Sequence, residues 1–245
     1  GGGLSDNSTA STSIGVGTNA LDSETSSGED NTAFGYDAGT AITSGQDNTA
    51  IGNNALLNNT TANFNTAVGK CSLGANTTAD HNTAVGALSA QATTTGEYNT
   101  AVGSLALDAN TSGSENISVG YNALSTNTTG DYNTAVGLGA LRDNVSSNNN
   151  TAVGREALKV TTGAKNTAVG ANALDANTTA EHNVAVGYAA MGANTTGTQN
   201  VAVGTYALDA NTTGDDLTAL GYEALSANTT AGSNTRALAT ATLCC

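Results

Sequence analysis

Proline and tryptophan are missing from the 245 residues, and the only aromatics are seven tyrosines and two phenylalanines. The lack of proline, with no Gly-X-Y period, excludes collagen. So few rings exclude an ordinary layered core built on aromatic anchors. Cations are also scarce, six Lys+Arg against 20 Asp+Glu, for a net charge of -14. Six scattered cations cannot displace the counterions of a duplex, so no nucleic-acid partner is expected. No apolar run approaches the roughly 18 residues of a membrane-spanning helix, and this segment is not expected to insert. Three cysteines make no disulfide framework. Cys71 reads as a free surface or turn thiol. The adjacent Cys244 and Cys245 are poorly placed to bridge each other, and read as a cross-link between chains or the start of a missing part.

What the chain has is a repeat. Asn-Thr-Ala-Val-Gly begins at Asn65, Asn82, Asn99, Asn133, Asn150 and Asn166, and close variants begin at Asn31, Asn48, Asn116, Asn183, Asn200 and Leu217. The steps are 17 residues throughout, except for one of 16 between Asn150 and Asn166. A looser copy starts at Ser13 and a decayed one at Asn234. The unit reads N-T-A-V-G-x-x-A-L-x-A-N-T-T-G-x-x, numbered here as positions 1 to 17. Position 5 is glycine in every copy before the decayed one: Gly17, Gly35, Gly52, Gly69, Gly86, Gly103, Gly120, Gly137, Gly154, Gly170, Gly187, Gly204 and Gly221.

A 17-residue unit is too short for a two-helix repeat. Its apolar residues do not follow the helical i, i+3, i+4, i+7 spacing. Each unit instead holds two short runs, Thr-Ala-Val and Ala-Leu-x-Ala, bounded by Gly and Asn, which suit corners. The fold class expected is all-β: a parallel β-solenoid of about 13 coils with two short strands per coil. At roughly 4.8 Å per coil it makes a rod on the order of 60 Å long. The position-1 asparagines and position-5 glycines form the structural ladders, the asparagine amides each bonding the next. Residues 1–12 read as a Gly/Ser/Thr-rich linker or neck and 13–233 as the solenoid. Residues 234–245 read as a degenerate final coil or cap, possibly leading to a missing domain, in which Arg236 breaks the strand.

Alternation along the first run leaves two arrangements open. Either Ala and Gly face inward and a Thr/Val stripe lies outside, or valine faces inward and an Ala/Gly stripe lies outside. In both, an apolar stripe runs along the rod and calls for a partner, the simplest being another copy of the chain.

The string N-T-A-V-G-x-x-A-L resembles the head repeat of YadA-type trimeric autotransporter adhesins, with Thr66-Ala67-Val68-Gly69 matching its V-A-I-G part. The form with Asn-Thr-Thr-Gly is also similar to bacteriophage tail-fibre repeats. The resemblance spans roughly residues 13 to 238 and implies a left-handed β-roll and a parallel homotrimer. It further implies an extracellular place on a virion or cell surface, and a host-surface glycan or protein as ligand. The function expected is a structural and adhesive shaft or head of a phage fibre. A bacterial surface adhesin is the alternative, followed by a glycan-cleaving spike and an ice-binding solenoid.

Site chemistry is sparse, and neither catalytic residues, metal nor cofactor are expected. His81 and His182 share position 17 six coils apart, too far for a common metal or dyad, and read as turn residues. Glu29, Asp30, Asp47, Asp80, Glu97, Glu115, Asp131, Glu181, Asp215 and Asp216 sit at turn positions and read as a solvated acidic rim. Asn59, Asn76, Asn110, Asn127, Asn177, Asn194, Asn211 and Asn228 start Asn-x-Thr/Ser sequons, read as turn chemistry rather than glycan sites. Threonines at positions 2, 13 and 14 raise ice binding, against which stands the corner placement of the last two.

Overall fold

The computed structural model describes residues 12–25, 27–232 and, for the main chain, 236–238. Most of the expected linker, and Cys244 and Cys245, lie outside the described residues. Fourteen three-residue strands, β1 (Ile14–Val16) to β14 (Arg236–Leu238), form one parallel sheet in which each pairs only with its neighbours in sequence. The molecule is a parallel β-solenoid, and no helix occurs among the described residues. Like residues meet in register: Thr49 with Thr66, Ala50 with Ala67, Ile51 with Val68.

Each coil contains one strand where two were expected. The strand is Thr-Ala-Val, positions 2 to 4. The Ala-Leu-x-Ala run is a chain of turns instead, because positions 7 and 9 are left-handed: Asn54 has φ 59° and Leu56 φ 49°, and the pattern recurs along the rod. The run still bonds to both neighbours. Asn54 N–H donates to Tyr36 O at 2.9 Å in the coil before, and Leu56 N–H to Ser72 O at 3.1 Å in the coil after. A left-handed leucine costs about 1–2 kcal/mol. Full burial of its side chain contributes about 1.5–3 kcal/mol, enough to offset that strain. The fully buried set includes Leu56, Leu73, Leu107, Leu124, Leu141, Leu158, Leu174 and Leu208.

The core settles the choice between the two arrangements. Position-3 alanines (Ala33, Ala50, Ala67, Ala84 and onward) are buried with the position-8 alanines and position-9 leucines, while position 4 is half-buried or exposed. One coil varies the scheme: Gly39 stands at position 9, and Ile42 fills the space, its Cδ1 3.0 Å from where a Cβ on Gly39 would lie. The position-5 glycines are fixed by backbone packing. Gly86 has φ +137°, and a Cβ there would lie 2.5 Å from Gly103 O.

Asparagine holds two corners. At position 1, Asn116 is fully buried; its Nδ2 donates to Gly130 O at 2.8 Å, and its Oδ1 accepts from Asn133 N–H at 3.0 Å. The amides therefore bond mainly to main chain, with direct amide–amide bonds such as Asn116 Nδ2 to Asn99 Oδ1 at 3.2 Å as a supplement. Position 12 carries a second buried column that includes Asn110, Asn127 and Asn144, in which Asn127 Nδ2 donates to Asn110 Oδ1 at 3.0 Å. The solenoid also runs past the point where Arg236 was expected to break it, since β14 pairs in parallel with the strand Thr218–Leu220. Ladder bonds use main-chain groups, which any residue but proline supplies in full.

Candidate interaction surface

Strand alternation turns positions 2 and 4 outward, and position 6 continues the same face. Position 2 supplies Thr32, Thr49, Thr66, Thr83, Thr100 and their successors. Position 4 supplies Val68, Val85, Val102 and, at its larger points, Phe34, Ile51 and Leu220. Exposure is 56 % at Phe34, 44 % at Ile117 and 36 % at Val102. Tyr36, Tyr121, Leu138, Tyr188 and Tyr222 border the stripe at position 6, all exposed. The result is a continuous Thr/Val face along the rod, and the position-2 threonines lie on this face rather than at a corner.

Position 17 carries the other border. It is left-handed in every repeat where it is described, as at Phe64, His81 and Tyr98 (φ 58°, 60° and 58°). Their three rings stack, with centroids 4.9 Å apart and planes within 8°. His81 is thus a turn residue, as expected, and also the middle of an aromatic stack. The shared position of the three rings was the signal for it. A hollow of about 470 Å³ follows the stack, lined by Tyr98, Thr100, Glu115 and Ile117. His182, six coils on, sits 3.9 Å from Glu181 and has no such stack.

Several turn acids do structural work instead of forming only a solvated rim. Asp80, Asp131 and Asp215 at position 16 each accept a main-chain N–H from the coil before, from Asn63, Ser114 and Thr198 at 2.6, 2.8 and 2.6 Å. Among the described residues no group of three His, Cys, Asp or Glu could hold a metal ion. Asp108, at position 10, has a buried Oδ1 without a hydrogen-bond partner, and burial pushes its carboxyl above the usual range. Arg142 is clamped by Asp143, Nε to Oδ1 at 2.8 Å and Nη2 to Oδ2 at 2.9 Å.

The eight sequons named above fall at position 12. Asn59, Asn76, Asn110, Asn127, Asn177, Asn194 and Asn211 are fully buried, with Nδ2 bonded to the position-15 carbonyl three residues on, as Asn110 is to Gly113 O at 2.9 Å. The last, Asn228, makes the same bond to Ala231 O at 3.1 Å near the end of the described rod. The folded coil leaves the seven buried amides no room for a glycan. Cys71 is a half-buried free thiol at left-handed position 7. No helix is long and apolar enough to cross a membrane among the described residues. Compared with protein-family models and with curated proteins, the chain matches none.

Proposed function

We propose that the chain is a structural and adhesive rod that packs side by side with parallel copies of itself, as the shaft or head of a phage or virion fibre outside the cell. The observation that carries the reading is the continuous exposed Thr/Val face. Positions 2 to 6 span about 14 Å across and the rod about 60 Å along, giving roughly 800 Å² per chain. That is the area a stable interface takes from each partner. Parallel copies are favoured because every column repeats at the coil spacing, so two like faces match along their whole length. Three chains follow from the resemblance to trimeric adhesin heads and tail fibres. A bacterial surface adhesin would use the same packing, and an associated phage assembly gene or membrane-anchor barrel would separate the two. A glycan or protein on a host surface is the ligand such a rod would present itself to.

The test is the mass of the purified chain by light scattering, with and without reductant, for the native chain and for Val85→Glu/Val102→Glu. Three chains in both conditions, falling to a folded single chain in the double variant, are expected. A well-folded monomer in the native chain overturns the reading. One observation favours a second reading in that event: threonines in register at about 4.8 Å on the outward side of the sheet suit ordered water. Thermal hysteresis that is lost in Thr83→Lys/Thr100→Lys would then mark an ice-binding face.

A further inference from the structure

Positions 17 and 6 flank each strand, one at each border of the Thr/Val face, as Glu115 and Tyr121 flank the strand Ile117–Val119. A coil rises only about 2 Å over those six residues, so the two lie at one level of the rod. The borders differ in charge. Among the described residues position 6 carries Lys70 and Arg155 and no acid, while position 17 carries Asp30, Asp47, Glu115 and Asp216 against Lys165. An antiparallel copy would set each border against its like, acid facing acid. A closed parallel assembly turns instead about an axis along the rod, which sets position 6 of one copy against position 17 of the next. Such a rotation moves nothing along the rod, so facing residues share a level.

The facing levels then match. Lys70 meets the ring of Phe64, and the small Ala87 and Ser104 meet the large His81 and Tyr98. Tyr121 meets Glu115, and there the surface is also hollow. The hollow of about 470 Å³ lined by Tyr98, Thr100, Glu115 and Ile117 spans two levels. The facing copy brings Ser104 to one of them and Tyr121, 53 % exposed, to the other. Neither the Tyr121 hydroxyl nor the Glu115 carboxylate has a hydrogen-bond partner among the described residues. We propose that Tyr121 of each copy inserts into this hollow on the next copy and donates its hydroxyl to Glu115. The proposal rests on the parallel-rod reading, and adds to it a zero offset between copies and the residues of the seam.

The experiment is oxidative cross-linking of the full chain with its three native cysteines changed to serine and Glu115→Cys/Tyr121→Cys added. Within one chain the two sites lie about 20 Å apart, too far for a disulfide. The expected product is a covalent oligomer of the size found by light scattering. Either single-cysteine chain, and the pair Asp47→Cys/Tyr121→Cys about 19 Å out of level, are expected to stay unlinked. Tyr121→Ala is expected to weaken association about tenfold, and Glu115→Gln and Tyr121→Phe about threefold each, with their double variant no weaker than either. The fold tolerates these changes, since Ala87 already stands at position 6 and Gln199 at position 17 with φ 58°. Circular dichroism checks this. Oligomers that fail to cross-link, cross-linking of a single-cysteine or off-level chain, or undiminished association of Tyr121→Ala overturns the seam and leaves the parallel-rod reading standing. A native chain that is monomeric overturns both.

Discussion

The amide of Asn116 shows what one residue does in this rod. It satisfies a carbonyl in its own coil and a main-chain N–H in the next, both buried. Asn116→Ala strands the Asn133 N–H, while the Gly130 carbonyl keeps its bond from Asn127 Nδ2 at 3.0 Å; the expected cost is about 1–3 kcal/mol, read from chemical denaturation. The converse case is Thr93, which stands at position 12 in place of asparagine, fully buried with its Oγ1 unpartnered. Thr93→Asn places a donor within reach of the Gly96 carbonyl, as Asn110 is placed toward Gly113. It is expected to stabilise by about 1 kcal/mol. Asp108 behaves differently because its carboxyl is raised by burial. A raised folded value means that the stabilising, protonated form is complete below the unfolded value and is lost as pH rises through the folded one. Asp108→Asn is therefore expected to raise the melting temperature at neutral pH and to leave it unchanged in acid below the carboxylate range.

The coil is the element here, and its weakest tolerance is at position 5. Gly86→Ala would drive a methyl to within 2.5 Å of Gly103 O, a backbone atom with no freedom to move. The expected outcome is disruption of the coils around it, seen as lost amide-exchange protection on both sides of residue 86. The period, the corners and this glycine were legible in the sequence because each is a local requirement repeated many times. The single strand was not legible. Leucine avoids left-handed φ on its own, so nothing local at Leu56 or Leu107 announces it; only the core around the coil makes it favourable. Which way positions 2 and 4 face was equally open, because valine and alanine both suit an interior until the coil's width is known. The aromatic column was within reach of the sequence, since Phe64, His81 and Tyr98 share position 17, but whether they stack depends on side-chain direction at a left-handed residue.

At the scale of the molecule, each strand touches only the one before and the one after. Stability is then a sum of coil terms and nearest-neighbour terms. Amide exchange is expected to be most protected in the middle coils and to decline toward both ends, in place of one uniform value. Lateral packing adds a second requirement. A face of identical columns permits slips by whole coils, and only its irregular residues oppose them. Phe34, Ile51 and Ile117 are bulky departures among the exposed residues of positions 2 and 4, with Ile14 and Leu220 near the two ends of the rod. Phe34→Val/Ile51→Val/Ile117→Thr is expected to keep association while mixing registers, detectable as several cross-linked pairings between cysteines placed at one outward position.

The coil that is one residue short still sets Thr167 against Thr151 and Ala168 against Ala152. The first pairing, Ile14 with Thr32, is 18 residues apart and is equally in step. Corners absorb the miscount, and the sheet counts only whole turns. A tandem duplication or loss of one repeat in the gene would therefore change nothing but reach, by about 4.8 Å each time. The rod is a ruler whose graduations can be added or removed without redesigning the instrument.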